Sequence, residues 1–458
     1  MYFLFNGLDK AVEEINKVSS VRLVSHLDAD GISAAAIALS ALTRAGKRVH
    51  LSIKKQITPE IIEELKKEEN ELFLFTDLGS GYMELLENLG KACNCKIIVC
   101  DHHIPSSKKD SALIQINPVL EGMKEDEISG AGVTYFLANK MNPANKDLIF
   151  LAIVGAIGDI QDENWEMNGI NENIVKEAVK MGFVRKEKGI RLFGRMNRPV
   201  HKALEYSTNP YIPGISGDES AAIQFLSNLG IELKNGETWR TLKDLSNEET
   251  KKLATAIICE RIREKESCPE EIFGDIYTIK INNERMDARE MATSLNACGR
   301  MDQASIGVLS VLGFNSLDKM SGILSGYRKM ITKYIKWVKE NKEKIQETSY
   351  AYYINAGEEI HENFIGTIIS ICHKSSILNG GKIIFGMAET EDGKIKVSAR
   401  APKNLIERGL NLKDMLSELT QDYDGYGGGH VAAAGAFIPK GKEKEFTDSC
   451  ENYLKGKL

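Results

Sequence analysis

The sequence predicts an α/β protein of two α/β domains, the first built on a parallel sheet, with a cleft between them. Three observations predict it. Short uninterrupted apolar runs recur through the first 160 residues, separated by helix-like segments. Strands covered on both faces read this way, and parallel sheets are covered on both faces. An acidic residue follows each of the clearest runs. After a loop-rich stretch over 165–245, strand and helix signals alternate again from Ile272.

The elements follow in order. Val21-Arg22-Leu23-Val24-Ser25 reads as a buried strand. Ile32 to Ala45 is Ala-rich and helical, and stops at Gly46. Leu72 to Thr76 and Lys96 to Cys100 are the next two strands. Leu148 to Ile157 is apolar throughout and fits either a strand or a buried helix. Leu253 to Glu266 reads as a charged, solvent-facing helix between the domains. This gives a first domain over 1–250, a linker over 251–270 and a second domain over 271–458. Ile276 to Ile281 and Lys382 to Phe385 are strand-like. Lys329 to Lys344 reads as a Lys-rich amphipathic helix, with a docking surface as the alternative to a simple wet face.

Composition narrows the function. Hydrophobic residues make up 42 % and charged residues 27 %, enough apolar side chain for sizeable cores. The net charge of −6 argues against a DNA-coating protein, while clustered carboxylates would be offset by bound cations. None of the 8 cysteines forms a CxxC pair, so reduced thiols are expected. The apolar start Met1 to Phe5 is too short for a signal peptide, and no apolar run approaches the ~20 residues of a membrane span. The expectation is a soluble, cytoplasmic protein with no membrane association.

The acidic residues carry the chemistry. Asp28 and Asp30 follow the first strand, Asp77 the second and Asp101 the third. Open parallel sheets bind ligands outside the carboxyl ends of their strands. A single Asp there is ordinarily a helix cap or turn former. Here the placement recurs, with His26, His102, His103 and a later Asp159 added to it. Oxygen and imidazole ligands suit manganese, magnesium, cobalt or zinc. Two such ions roughly 3.5–4 Å apart can act together on a phosphate ester.

These residues resemble the DHH/DHHA1 phosphoesterase family. The triplet stands as Asp101-His102-His103, preceded by Ser25-His26-Leu27-Asp28-Ala29-Asp30-Gly31 and Thr76-Asp77-Leu78-Gly79, and followed by Gly155-Ala156-Ile157-Gly158-Asp159. Gly427-Gly428-Gly429-His430 and Ala432-Ala433-Ala434-Gly435 resemble the family's DHHA1 domain. Asn296-Ala297-Cys298-Gly299-Arg300 and Ser398-Ala399-Arg400 fit other blocks of that domain. Gly194 to Pro199 and Asn209 to Gly214 look most like the archaeal-type RecJ-like nucleases.

The resemblance implies a role for each residue. His26 and Asp28 would hold one ion, Asp30, His102 and Asp159 the other, with Asp77 bridging. Asp101 would orient an imidazole, and His103 would contact the scissile phosphate. Arg300, Arg400, Gly427, Gly428, Gly429 and His430 would bind substrate. The implied cofactors are two divalent ions, manganese first, with magnesium or cobalt as alternatives. The implied activity is a single-strand-specific exonuclease acting on DNA, or RNA, in replication or repair, with one strand admitted to the cleft. The alternatives are a phosphodiesterase for short oligonucleotides or cyclic dinucleotides, and a replication-complex scaffold with minor activity. The archaeal branch also implies docking on the GINS replication complex. The chain ends at Leu458, soon after His430, so no OB-fold domain is expected to hold a long strand.

Other features stay open between two readings. Arg185-Lys186-Glu187-Lys188, Arg191, Arg195, Arg198 and Lys202 read as a stripe for a polyanion, against a solvated helix face. Trp165, Trp239 and Tyr211 are candidates for base stacking, against ordinary packing.

Overall fold

The computed structural model describes residues 5–106, 113–162, 166–207, 210–266, 268–282, 284–314, 316–374, 377–378, 381–423 and 425–457. Trp165 lies outside these residues. The chain divides after Leu324 into two compact units.

The first unit begins with α1 (Leu8–Lys17), β1 (Ser20–His26), α2 (Ala29–Arg44), β2 (Arg48–Lys54), α3 (Pro59–Lys66), β3 (Leu72–Thr76), α4 (Met83–Cys93), β4 (Lys96–Cys100) and β5 (Ile114–Ile116). These strands form one sheet in the order β2-β1-β3-β4-β5, parallel throughout. Side-chain alternation explains why the strands are apolar end to end. Leu72 and Leu74 of β3 join the core under α1, α2 and two later helices, α5 (Gly130–Met141) and α6 (Ile149–Gly158). Phe73 and Phe75, between them, point to the other face and join Ile62, Leu65, Leu86 and Leu89 of α3 and α4. The ambiguous run near residue 150 is thus a helix. It is apolar all round because it is enclosed, with seven of its side chains sharing the main core.

The rest of this unit comprises α7 (Gly169–Lys180), β6 (Val184–Ile190), α8 (Val200–Glu205), α9 (Glu219–Asn228), the hairpin β7 (Lys234–Asn235) and β8 (Thr238–Trp239), α10 (Asn247–Arg263), β9 (Phe273–Ile281), β10 (Glu284–Asp287), α11 (Ala288–Arg300) and α12 (Ala304–Val311). β10, β9 and β6 form a separate antiparallel sheet.

Residues 251–270 fall within the first unit. α10 buries Leu253, Ala254 and Ile257 in a satellite core with Ile190, Leu204, Ile212, Leu226 and Ile272. Its Arg261 is fully buried and bonds the carbonyls of Tyr211 and Cys268 and the Glu271 carboxylate. Most other charges of α10 face solvent, as the sequence predicts; its apolar face and Arg261 tie it to the first unit. Tyr277, Ile279, Met291, Leu295 and Val308 then pack into the first core, which moves the division from about 250–270 to 324.

The division falls within α13 (Leu317–Glu340). The second unit continues with β11 (Ile345–Glu347), β12 (Ala351–Asn355), α14 (Glu362–Lys374), β13 (Ile383–Glu389), β14 (Lys394–Arg400), α15 (Lys403–Glu407), α16 (Leu412–Leu419), β15 (Tyr426–Gly429), β16 (Ala433–Pro439) and α17 (Glu443–Lys457). Its six-stranded sheet runs β11-β12-β13-β14-β16-β15, with only β12 and β13 parallel. Phe385, Val397, Leu416 and Phe446 centre its core. Among the described residues no helix is long and apolar enough to cross a membrane.

Separate cores predict separable stability. Phe385→Ala removes a fully buried ring from the second core and should cost about 3–5 kcal/mol there. Cation binding by the first unit should be unchanged, which denaturant unfolding followed with and without Mn2+ would measure.

Candidate metal centre

The parallel sheet sets the site. β3 pairs with β1 on one side and β4 on the other, so three carboxyl ends lie side by side. His26 closes β1. Asp28 caps α2, its side chain accepting from the Gly31 N–H at 3.0 Å, and Asp30 lies in the first helical turn. Asp77 follows β3 in a left-handed conformation, φ 53°. Asp101, His102 and His103 follow β4. Asp159 caps the end of α6.

Three groups of candidate ligand atoms result among the described residues, one of them Asp77, Asp101, His102 and His103. His26 Nδ1 lies 3.0 Å from Asp28 Oδ2 and 3.6 Å from Asp77 Oδ2. His102 Nε2 lies 3.5 Å from Asp77 Oδ1, 3.6 Å from Asp159 Oδ2 and 3.9 Å from Asp30 Oδ2. His26, Asp28 and Asp77 can converge on one cation, and Asp30, His102 and Asp159 on another. Asp77 offers one oxygen to each side.

The residues fit cations rather than protons alone. Both Asp77 oxygens and His102 Nε2 are buried and have no hydrogen-bond partner among the described residues. Buried polar atoms left unpaired are costly, and lone pairs aimed at one another are the pattern of cation ligands. Burial, then the Asp77 charge, holds the Asp30 carboxyl well above the usual range. Burial also raises Asp159, with His102 opposing and Asp77 adding to the rise. Burial disfavours the charged His102 ring, but Asp159 and Asp77 outweigh it and raise its pKa well above the ordinary value. His26 behaves alike under Asp28 and Asp77. The donors are all oxygen and nitrogen; Cys100 is buried in the main core.

Surrounding groups aim the ligands. Asp30 accepts from the Gly130 and Ala131 N–H groups, 2.6 and 2.9 Å, at the start of α5. Gly155 makes room for this carboxylate, since a Cβ there would lie 2.2 Å from Asp30 Oδ1. His102 Nδ1 lies 2.8 Å from the Glu125 carbonyl, which fixes the ring with Nε2 towards the carboxylates. Asp101 accepts from the Ser80 and His102 N–H groups, at 2.9 and 2.8 Å, and holds His103 Nδ1 at 2.8 Å. Burial opposes its charge, yet His103 and the other donors keep its carboxyl well below the usual range. Asp101 therefore orients His103, whose side chain stays 37 % exposed.

Sequence reasoning missed Gln161. Its Nε2 donates to Asp159 Oδ2 at 2.8 Å and to the Glu125 carbonyl at 3.1 Å, and its Oε1 accepts from Asn171 at 2.6 Å. The turn that returns Gln161 to Asp159 has a cost. Ile160 sits at φ 59°, with its N–H on the Ile157 carbonyl and the Gln161 N–H on that of Ala156. This Schellman ending normally carries glycine at the left-handed position. A β-branched residue there is strained, and Ile160 is 54 % exposed, so burial does not offset the strain. No spacing in the sequence marks either residue.

Other expected site residues lie elsewhere. Arg300 ends α11, in the first unit rather than in the DHHA1 segment, because α11 packs Met291, Leu295 and Cys298 into the main core. Arg191 is buried and bonds Asp162 at 2.9 Å, so it is a structural ion pair rather than part of an exposed stripe. Arg195 pairs with Glu187, Lys186 and Lys188 with Asp275, and Lys202 with Glu205 and Glu219. Arg198 lies over the Phe193 and Tyr206 rings. Much of the stripe is thus paired within the fold, in part by carboxylates distant in sequence, Asp162 and Asp275. Trp239 is partly exposed beside His201 and Lys234, and Tyr211 uses its carbonyl on Arg261. In the second unit, Gly427, Gly428 and Gly429 form the edge strand β15. The exposed His430 occupies the turn to β16, and Arg400 stands opposite Ala433 at the same end of the sheet.

The chain matches three family models: the DHH family N-terminal domain over 20–156, the DHH-CID domain over 192–271 and the DHHA1 domain over 348–456. An uncharacterised protein of Methanocaldococcus jannaschii is 33 % identical over 448 residues, covering 95 % of this chain and 94 % of that one. The single-stranded-DNA-specific exonuclease RecJ of Thermus thermophilus is 28 % identical over 207 residues, 42 % of this chain and 30 % of the exonuclease. Among solved structures, RecJ of Thermus thermophilus in complex with Mn2+ aligns with a TM-score of 0.61 at 18 % identity, over 99 % of this chain and 55 % of that one. CDC45 from Entamoeba histolytica aligns at 0.63 and 12 % identity, over 98 % and 99 %. At these identities the structural likeness is one of fold.

Two outcomes test the centre. Gln161→Ala should weaken Mn2+ affinity by about 10–100-fold, measured by titration of chelator-treated protein. Ile160→Gly relieves left-handed strain and should raise the stability of the metal-free protein by about 1 kcal/mol, read from the denaturant midpoint.

Proposed function

Because the chain belongs to the DHH family, with DHH, DHH-CID and DHHA1 domains, we propose that it is a divalent-metal-dependent phosphodiesterase that removes nucleotides from an end of single-stranded DNA, or of RNA. The observation that carries this is the buried, unpartnered set of Asp77 oxygens and His102 Nε2 among three further carboxylates.

His26, Asp28 and Asp77 would hold one cation, and Asp30, His102, Asp159 and Asp77 a second, Mn2+ first and Mg2+ or Co2+ next. Such cations supply charge neutralisation at phosphate oxygens and a lowered pKa for water. Asp77 divides its two oxygens between the groups, so it sets their spacing. Asp101 holds His103 in one orientation, and the exposed part of that ring is offered to the phosphate being cut. Asp101 thereby favours the protonated imidazole, which donates to an anionic oxygen. Arg300, Arg400, Gly427, Gly428, Gly429 and His430 are proposed to contact further phosphates. Arg195 and Arg198 are left as minor contributors, since their charges already have partners.

A second reading is a replication-complex component that docks on GINS. The fold likeness to CDC45 favours it. The complete ligand set weighs towards an enzyme.

The experiment is one panel in Mn2+ and in Mg2+: end-labelled linear strand, circular strand, duplex and dinucleotide. Linear strands should be degraded while circles and blunt duplexes resist. Cleavage of dinucleotides alone would replace the exonuclease reading with the short-oligonucleotide one, and no hydrolysis of any member would favour the scaffold. Asp77→Asn should reduce hydrolysis to background. The same variant should gain less thermal stability than the wild type from added Mn2+.

A further inference from the structure

α11 supplies none of these cation ligands, yet it meets two of the segments that carry them, 27–30 and 159–162. Asn296 Oδ1 accepts from the Ala29 N–H at 2.9 Å, and Ala29 stands between Asp28 and Asp30. Three residues on, Gly299 lies so close to Leu27 that a Cβ would fall 1.7 Å from its carbonyl oxygen. At the other end of α11, Arg289 pairs with Asp162, three residues beyond Asp159. The helix is a firm base. Asp287 caps it, accepting from Arg289 N at 2.8 Å and Glu290 N at 3.3 Å, and Met291, Leu295 and Cys298 are buried in the main core.

Ala29 is the first residue of α2, so its N–H has no carbonyl within its own helix. In sequence it is flanked by the carboxylates of Asp28 and Asp30. An N–H that turned to Asp28 would compete with the cation for that side chain, which already accepts from Gly31. Asn296 meets the N–H from outside and leaves Asp28 Oδ2 facing His26.

We infer that Asn296 is a positioning residue of the cation centre, its side-chain carbonyl fixing the Leu27–Asp30 loop from α11. The inference rests on the metal-dependent reading above and adds a residue that is not a ligand. It concerns binding, so its test does not need turnover.

Chelator-treated wild type, Asn296→Ala, Asn296→Leu and Asn296→Asp would be titrated with Mn2+, with the free ion followed by electron paramagnetic resonance. Thermal melting of each metal-free protein would be recorded alongside. Asn296→Leu keeps the volume without the acceptor and carries the test if Asn296→Ala unfolds. The expected result is about tenfold weaker Mn2+ binding by the Ala and Leu variants, with metal-free melting close to wild type, and recovery to within about threefold by Asn296→Asp, which keeps an acceptor oxygen. Equal binding by all four proteins would overturn the positioning role and leave the metal reading standing. So would an Asp variant as weak as Ala. A wild type that binds no Mn2+ would overturn both.

Discussion

Asp28, Asp30, Asp77 and Asp159 are held within a few ångströms of one another at one end of a sheet, three of them within ligand range of His102. Like charges so close cannot all ionise in a protein interior unless cations or protons compensate. Much of the surrounding fold answers this constraint. Backbone N–H groups at the start of α5 meet Asp30, Gln161 meets Asp159, and the N–H of Gly31 meets Asp28. Each of these donors holds a carboxylate without neutralising it, so affinity for a cation survives. Asp77 alone has neither oxygen bonded, and it is the side chain that faces both groups.

The parallel sheet makes such crowding possible. Adjacent parallel strands end on the same side, so residues far apart in sequence arrive as neighbours. The strain of Ile160 and the left-handed backbone of Asp77 are local costs of turning the chain sharply enough to aim its side chains. In the second unit, Arg400 and His430 are brought to one end of another sheet by antiparallel pairing, a different route to the same clustering.

What was legible in the sequence follows from this. The strands over 21–25, 72–76 and 96–100 were readable because burial on both faces leaves continuous apolar runs. The clustering of the candidate ligands was foreshadowed because each sits at the end of or just after a strand or an apolar run. The run over 148–157 was not decidable, since an enclosed helix and an enclosed strand have the same composition. The basic stripe stayed open between two readings because partners such as Asp162 for Arg191 and Asp275 for Lys186 are tens of residues away. Arg300 was assigned to the wrong unit because short motifs carry no sign of which core their helix joins. Gln161 and Asn296 were invisible as aiming groups, since an amide says nothing of its partner until the fold supplies it.

The bond from Asn296 to Ala29 spans 267 residues. All of the proposed ligands, His26 through Asp159, precede Asn296 in the chain. During synthesis, at ~5–20 residues per second, the segments carrying the proposed ligands are made roughly ten to fifty seconds before α11. A growing chain therefore carries its carboxylates before the acceptor for the Ala29 N–H has been made. Premature termination between Asp159 and α11 would yield a product that holds every proposed ligand and still lacks Asn296.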